Sequence, residues 1–220
     1  MPHIDAYQDL GQFPPRWDIT IFTTKPDDGG HHPSTHALMC PRELYFDRHV
    51  EAIPERVTVA QQRAFDTGHF WHGYLGAMLV DMGFVRPENV ERKYRKPLDF
   101  GAFGSGTLDF VDVEVPGHGT LPLVDVKTMN AADFEKGRPR ADLWRKYVAQ
   151  VNLYADWIGA PEDYSPILLA VQKDSPHGLL EIEVPRDPAL VAEIHDRWEG
   201  VALCAKHGVE PPCECGKCRR

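Results

Sequence analysis

Residues 106–128 read GTLDFVDVEVPGHGTLPLVDVKT. Two runs in which apolar and polar residues alternate, 106–115 and 121–128, flank Pro116-Gly117-His118-Gly119. Alternation with a period of two predicts strands, and a Pro-Gly-His-Gly segment is turn chemistry, so the stretch is expected to form a β-hairpin. The period places Asp109, Val111, Val113 and Val115 on one face of the first strand, with Asp112 and Glu114 on the other. On the second strand Leu123, Asp125 and Lys127 share a face, and Val124 and Val126 take the opposite one. A carboxylate on a valine-bearing face is costly unless a cation or a metal compensates it, so the hairpin that points to the fold also points to a site.

Working outward, 90–98 is a further strand on the N-terminal side. Before it, Ala60, Ala64, Gly68, Trp71, Leu75, Met78, Leu79 and Met82 recur at helical spacing and predict a long helix over 55–83, with His72 on the same stripe. Ser34 or Thr35 suits the cap of an earlier helix over 36–50 that contains Cys40-Pro41-Arg42. Residues 1–33, rich in Pro, Gly and His, read as a loop-rich lead-in. On the C-terminal side a helix is expected over 140–158, with Leu143, Tyr147, Gln150, Val151, Tyr154 and Ile158 on one side. Strands follow at 166–172 and 179–184. A last helix starts at Asp187-Pro188, carries the stripe Leu190, Ile194, Trp198, Val201, Ala205, and ends at Gly208. This order defines a mixed α/β domain, a central β-sheet flanked by helices. The expected division is a lead-in over 1–35, a catalytic domain over 36–208, and a cysteine-rich metal-binding tail over 209–220 joined with Cys40.

The 220 residues suit one sizeable domain, and 42% hydrophobic content is ordinary for a globular protein. No apolar run approaches the roughly 18 residues that span a bilayer. The N-terminal MPHIDAYQDLGQF has neither a basic nor an apolar signal region, so a cytoplasmic location is expected, in the host if the chain is phage-encoded. A net charge of −9 argues against coating nucleic acid by bulk attraction. It leaves room for local basic strips: Arg92-Lys93 with Arg95-Lys96, Lys136 with Arg138 and Arg140, Arg145-Lys146, and Lys217 with Arg219-Arg220. Each of these, taken alone, reads first as a solvated face.

The chemistry-bearing residues begin with Asp109 on one strand and Asp125-Val126-Lys127 on the next. Two carboxylates from adjacent strands can converge on one hard divalent cation, Mg²⁺ or Mn²⁺, which prefers oxygen ligands. Such an ion polarises a phosphoryl oxygen and lowers the pKa of a bound water, and a neighbouring lysine stabilises developing negative charge. The plainer reading is a cross-strand ion pair. His72 offers an imidazole ligand, or a hydrogen-bonded core histidine. Gln150 and Tyr154, four apart, share a helix face and suit either a phosphate contact or a helix interface.

Taken in order, Gly68-x-x-x-His72, Gly106-x-x-Asp109, Asp125-x-Lys127 and Gln150-x-x-x-Tyr154, in these helix and strand contexts, resemble the PD-(D/E)XK nuclease superfamily and its RecB-like branch, over roughly residues 36–218. The first acid follows Leu108 where the family often has Pro, and the second is Asp125 where Glu is common. The resemblance implies a restriction-endonuclease-like core. It implies metal ligation by His72, Asp109, Asp125 and the Val126 carbonyl, with Lys127, Gln150 and Tyr154 completing the catalytic set. Glu91 is a further carboxylate at the start of its strand. The implied activity is exonucleolytic hydrolysis of DNA, of single strands or of ends, with 5′ to 3′ polarity the family tendency, in recombination, repair or CRISPR-type adaptation. Trp144, Tyr147 and Tyr154 suit base stacking or core packing.

There are five cysteines, an odd number, and Cys213, Cys215 and Cys218 lie within the last eight residues. Such crowding suggests a metal, and three thiolates need a fourth ligand. Cys40, in a Cys-Pro-Arg-Glu-Leu-Tyr setting, resembles the first cysteine of RecB-like exonucleases whose [4Fe–4S] cluster joins one early and three late cysteines, the CRISPR-associated exonuclease and phage homologues among them. The spacing here is tighter than that family's usual Cys-x₂-Cys-x₅-Cys, and zinc is the alternative. Cys204, mid-helix, is expected to be a buried thiol. Outside enzymology, the chain would be a DNA-binding or partner-binding protein with a structural metal tail; a structure-specific endonuclease is the third reading.

Overall fold

The computed structural model of the chain describes residues 20–23, 28–49, 55–173, 175 and 178–218. Its centre is a five-stranded sheet, in the order β3 (Val90–Pro97), β4 (Phe103–Val115), β5 (Gly119–Met129), β6 (Ile167–Gln172), β7 (Leu179–Glu183). All neighbours are antiparallel except β5 and β6, which run parallel with Val124 opposite Ile167. The predicted hairpin is β4–β5, and its turn is made by Gly117 and Gly119 at φ 79° and 84°, a region that glycine enters without penalty. The parallel step requires a crossover, which the helices α4 (Ala131–Glu135) and α5 (Ala141–Trp157) supply. The last helix, α6, spans Pro188–Lys206 and starts on an Asp187 side chain that accepts the Leu190 N–H at 2.9 Å.

Both faces of the sheet are covered. Leu108, Val111, Leu123 and Leu168 pack against Val151, Tyr154 and Trp157 of α5 and Ile194 and Trp198 of α6. On the opposite face, Phe110, Val113, Val124, Val126, Ile167 and Val171 pack with Leu75 of α3, which spans Val59–Asp81. The mixed α/β architecture with flanking helices is thus as expected.

Four local expectations are corrected. The long helix begins at Val59 rather than 55, because Thr58 and Gln61 form a reciprocal cap: Thr58 Oγ1 accepts the Gln61 N–H at 3.2 Å and Gln61 Oε1 accepts the Thr58 N–H at 2.8 Å. The residues before it, Glu55–Thr58, form β2, which pairs antiparallel with β1 (Thr20–Thr23) inside the segment read as a loop. The helix expected over 36–50 is two helices, α1 (Pro33–His36) and α2 (Pro41–His49), with residue 50 outside the described residues. Each opens on a proline, whose missing N–H and fixed φ suit a first turn and not a helix interior. Cys40 therefore stands at the mouth of α2, its carbonyl accepting the Leu44 N–H at 2.9 Å. Finally, the single face predicted for Asp109, Val111, Val113 and Val115 does not form. Val111 packs under α5 and α6, whereas Val113 and Val115 pack on the α3 side, and Asp112 between them is left-handed at φ 51°.

The segment before α1 is fastened to the sheet. His31 donates to the Phe103 carbonyl at 2.8 Å and accepts from Ser105 at 2.9 Å through its backbone, and its ring stacks on Trp198 at 5.0 Å. Burial, with His36 and Arg48 adding, holds the His31 imidazole neutral and depresses its pKa to about 3. A depressed folded-state pKa means that the stabilisation is present above the ordinary histidine value of about 6.5 and is lost as pH falls from there toward 3. Chemical denaturation at pH 7.5 and pH 5 is expected to show a loss of about 2 kcal/mol from this one group, and His31→Phe should flatten the acid slope by that amount. An unchanged slope would remove His31 from the acid response.

Candidate active site

The paired part of the β4–β5 ladder runs from Val115 opposite Gly119 to Phe110 opposite Val124. Beyond Phe110 and Val124 the strands part, and a side chain takes over the missing backbone bond: Asp109 Oδ2 accepts the Val126 N–H at 2.7 Å. The same carboxylate reaches α3 through Oδ1, which lies 3.1 Å from His72 Nδ1. One residue thus joins the fork in the sheet to the helix above it. Burial alone would raise the Asp109 pKa, but the His72 hydrogen bond and the Lys127 charge outweigh it and the carboxyl stays below its usual range. The His72 imidazole is correspondingly raised, its burial being outweighed by Asp109.

Asp125 sits on β5 between two neighbouring strands and is 1% exposed. Among the described residues, its oxygens have no partner other than the Lys127 ammonium. The Lys127 ammonium contacts Oδ2 directly and forms an ion pair with it. Burial pushes the Asp125 carboxyl up to about 6, with Asp109 adding to the shift and Lys127 opposing it. Lys127 in turn is held protonated: burial works against its charge, and Asp125 and Asp109 overcome it. Its ammonium lies 5.3 Å above the Tyr147 ring, within cation–π range.

α5 supplies the far wall. Gln150 and Tyr154 are both buried, and Gln150 Nε2 donates to Tyr154 Oη at 3.4 Å. The Tyr154 ring lies over Gly106, where a Cβ would come within 2.7 Å of Cε1. The glycine is there because the ring passes so close to the strand. Burial, then the Asp125 charge, raises the Tyr154 pKa and keeps the phenol neutral.

The structure therefore gathers His72, Asp109, Asp125 and Lys127 about the fork, with Gln150, Tyr154 and Tyr147 on the helix above Lys127. Val126 joins the group through its amide. Glu91 stands apart, exposed on edge strand β3 in the register position opposite Asp109, with a left-handed backbone at φ 48°. Trp144 packs against the core under α5 and α6. The role of Tyr147 beneath the Lys127 ammonium was not anticipated, although its spacing from Gln150 and Tyr154 already placed it on their side of the helix. Among the described residues, the one group of three or more metal-ligating side chains drawn within 4.8 Å of one another is Cys40, Cys213, Cys215 and Cys218. The four sulfurs come together from the mouth of α2 and the chain after α6, and Cys204 is not among them.

Comparison with known proteins bears on the fold. No protein-family model matches the sequence, and no curated protein sequence matches it. Among solved structures, the chain superimposes on a candidate exonuclease from Eubacterium rectale with a TM-score of 0.52 at 13% identity, over 90% of this chain and 92% of that one. The two share a fold, which in this chain is a five-stranded mixed sheet with helices on both faces. Among the described residues, no helix is long and apolar enough to cross a membrane.

Proposed function

We propose that the chain is a metal-dependent nuclease that hydrolyses DNA phosphodiester bonds, acting as an exonuclease on single strands or ends. The observation that carries this reading is Asp125. A buried carboxylate whose oxygens find only one ammonium among the described residues is costly, and it lies beside a second buried acid at the point where two strands fork. Such a donor set fits a hard divalent cation, Mg²⁺ or Mn²⁺, held by Asp109 and Asp125 with His72 and the Val126 carbonyl. When bound, the ion would polarise a phosphoryl oxygen and lower the pKa of a coordinated water.

The protein's own groups divide the remaining work. Asp109 is held ionised by His72 and the Val126 amide, so it presents a charged oxygen at neutral pH. Lys127, held protonated, stabilises negative charge developing on the phosphate. Gln150 and Tyr154 offer neutral hydrogen-bond donors on the same side, suited to orienting a phosphate oxygen or Lys127. The exposed edge strand β3 presents Arg92, Lys93 and Arg95, which suit a DNA backbone. The E. rectale protein carries an exonuclease description on the same fold, which supports the reading.

The test is degradation of single-stranded DNA with Mn²⁺ by the native chain and by Asp125→Ala. Loss of linear substrate with the native protein alone, and resistance of a circular strand, are expected. Equal degradation by both proteins would remove Asp125 from the reaction; none by either would leave a binding protein.

A further inference from the structure

The cysteine group has a geometry of its own. Cys213 and Cys215 Sγ are 3.7 Å apart, Cys215 and Cys218 are 3.3 Å apart, and Cys218 and Cys40 are 3.4 Å apart. All four sulfurs fall within 4.8 Å of one another. Gly216 at φ 67° turns the chain between the second and third tail cysteines, and the Lys217 N–H points at Cys215 Sγ from 3.4 Å. An N–H directed at sulfur suits a thiolate.

These separations distinguish two kinds of centre. A single tetrahedral ion with bonds of about 2.3 Å sets its four sulfurs about 3.8 Å apart. A [4Fe–4S] cluster binds each thiolate to a different iron, and the inserted core spreads the sulfurs to roughly 6 Å. The observed group is far too tight for the cluster that the family resemblance implies, and close to the edge of a single-ion tetrahedron. The sequence agrees, since Cys213-x-Cys215-x-x-Cys218 is a compact loop.

We infer that Cys40, Cys213, Cys215 and Cys218 hold one tetrahedral zinc ion, and not an iron–sulfur cluster. Zinc has no redox chemistry and closes a four-thiolate site completely, so the centre is a structural clamp with no part in electron transfer. It ties the mouth of α2 to the chain leaving α6, across a sequence separation of 178 from Cys40 to Cys218. An ion pair runs alongside it, with Arg42 donating to Glu210 at 2.7 Å. This inference does not depend on the nuclease reading, which concerns a different set of residues.

The test begins with metal and acid-labile sulfide content of the full chain purified without oxygen. One zinc per chain, no sulfide and no absorption band near 400 nm are expected. Cys215→Ser should lose the zinc, whereas Cys204→Ser should keep it. Should the first variant fail to fold, thiol titration of the native protein carries the same information: four additional thiols should become reactive together with release of one zinc to a chelator. Stoichiometric iron, with or without sulfide, would overturn the inference, as would a metal-free chain. None of these outcomes bears on whether Asp125 is needed for DNA hydrolysis, so the two readings fail separately.

Discussion

Lys127→Met is expected to lower DNA hydrolysis by about 10²–10³-fold and to destabilise the metal-free chain by about 3–5 kcal/mol. The second figure follows from what the ammonium faces. Asp125 is 1% exposed and its oxygens find no partner among the described residues except Lys127, which is therefore its immediate compensation. Removing one partner of a buried pair leaves an uncompensated charge in a medium that solvates it poorly. The sign with pH is fixed by the direction of the shifts. The Lys127 pKa is raised, so its contribution is present below the ordinary lysine value of about 10.4, is lost above the folded-state value, and also fades on the acid side as Asp125, pushed up to about 6, becomes protonated. At pH 7 the full effect should therefore appear, as a drop in melting temperature of roughly 10 °C for a chain of this size. Added Mn²⁺ should narrow the gap between native and variant proteins, because a cation at Asp125 replaces the missing charge. Melting curves with and without Mn²⁺, beside the hydrolysis assay, check both halves. A variant as stable as the native chain without metal would show that Lys127 does not compensate the buried acid.

The hairpin was legible because two signals agreed. A strict period of two ran into turn residues, and both registered on the same 23-residue stretch quoted at the outset. The second strand was read correctly down to its faces: Leu123 belongs to the core under α5, and Val124 and Val126 to the core under α3. The first strand was not, because its alternation breaks twice, between Leu108 and Phe110, which lie on opposite faces, and again at the left-handed Asp112. Periodicity assumes a regular pleat, and one residue with positive φ moves those beyond it to other faces. Sequence order also placed Asp109 and His72 in the same set of motifs, but not their 3.1 Å contact. That contact depends on where the ladder opens, and the opening is a matter of long-range packing. The start of α3 was legible in principle, since Thr58-x-x-Gln61 is a capping box. It was overridden by a helical stripe extended too far upstream. For the cysteines, the clustering was visible but the sulfur separations were not, and only the separations distinguish one ion from a cluster.

Gly106→Ala carries the last expected result, a loss of up to about 3 kcal/mol of stability from overpacking and at least a tenfold fall in hydrolysis. A Cβ at this position would stand 2.7 Å from Tyr154 Cε1 and 2.8 Å from its Oη. Tyr154 has little room to yield. It is 3% exposed, lies 5.6 Å from the Trp157 ring, and accepts from Gln150. Relief must come from moving α5 off the strand, which carries Gln150 and Tyr154 away from Lys127. Two further variants make the cause identifiable. In a Tyr154→Ala background the same glycine substitution should cost little stability, since the ring it strikes is gone; a full additive penalty would place the clash elsewhere. Gly68→Ala should behave oppositely to Gly106→Ala. Among the described residues its new Cβ meets nothing closer than Thr128 Oγ1 at 3.9 Å, and within a helix the exchange removes backbone entropy from the unfolded chain, a gain of roughly 0.5–1 kcal/mol. Two glycines from the same set of motifs are thus expected to respond with opposite signs. The strand glycine is held by contact with a neighbouring ring, whereas among the described residues no close contact holds the helix glycine, which leaves access to His72 one turn along as the reason to test there next.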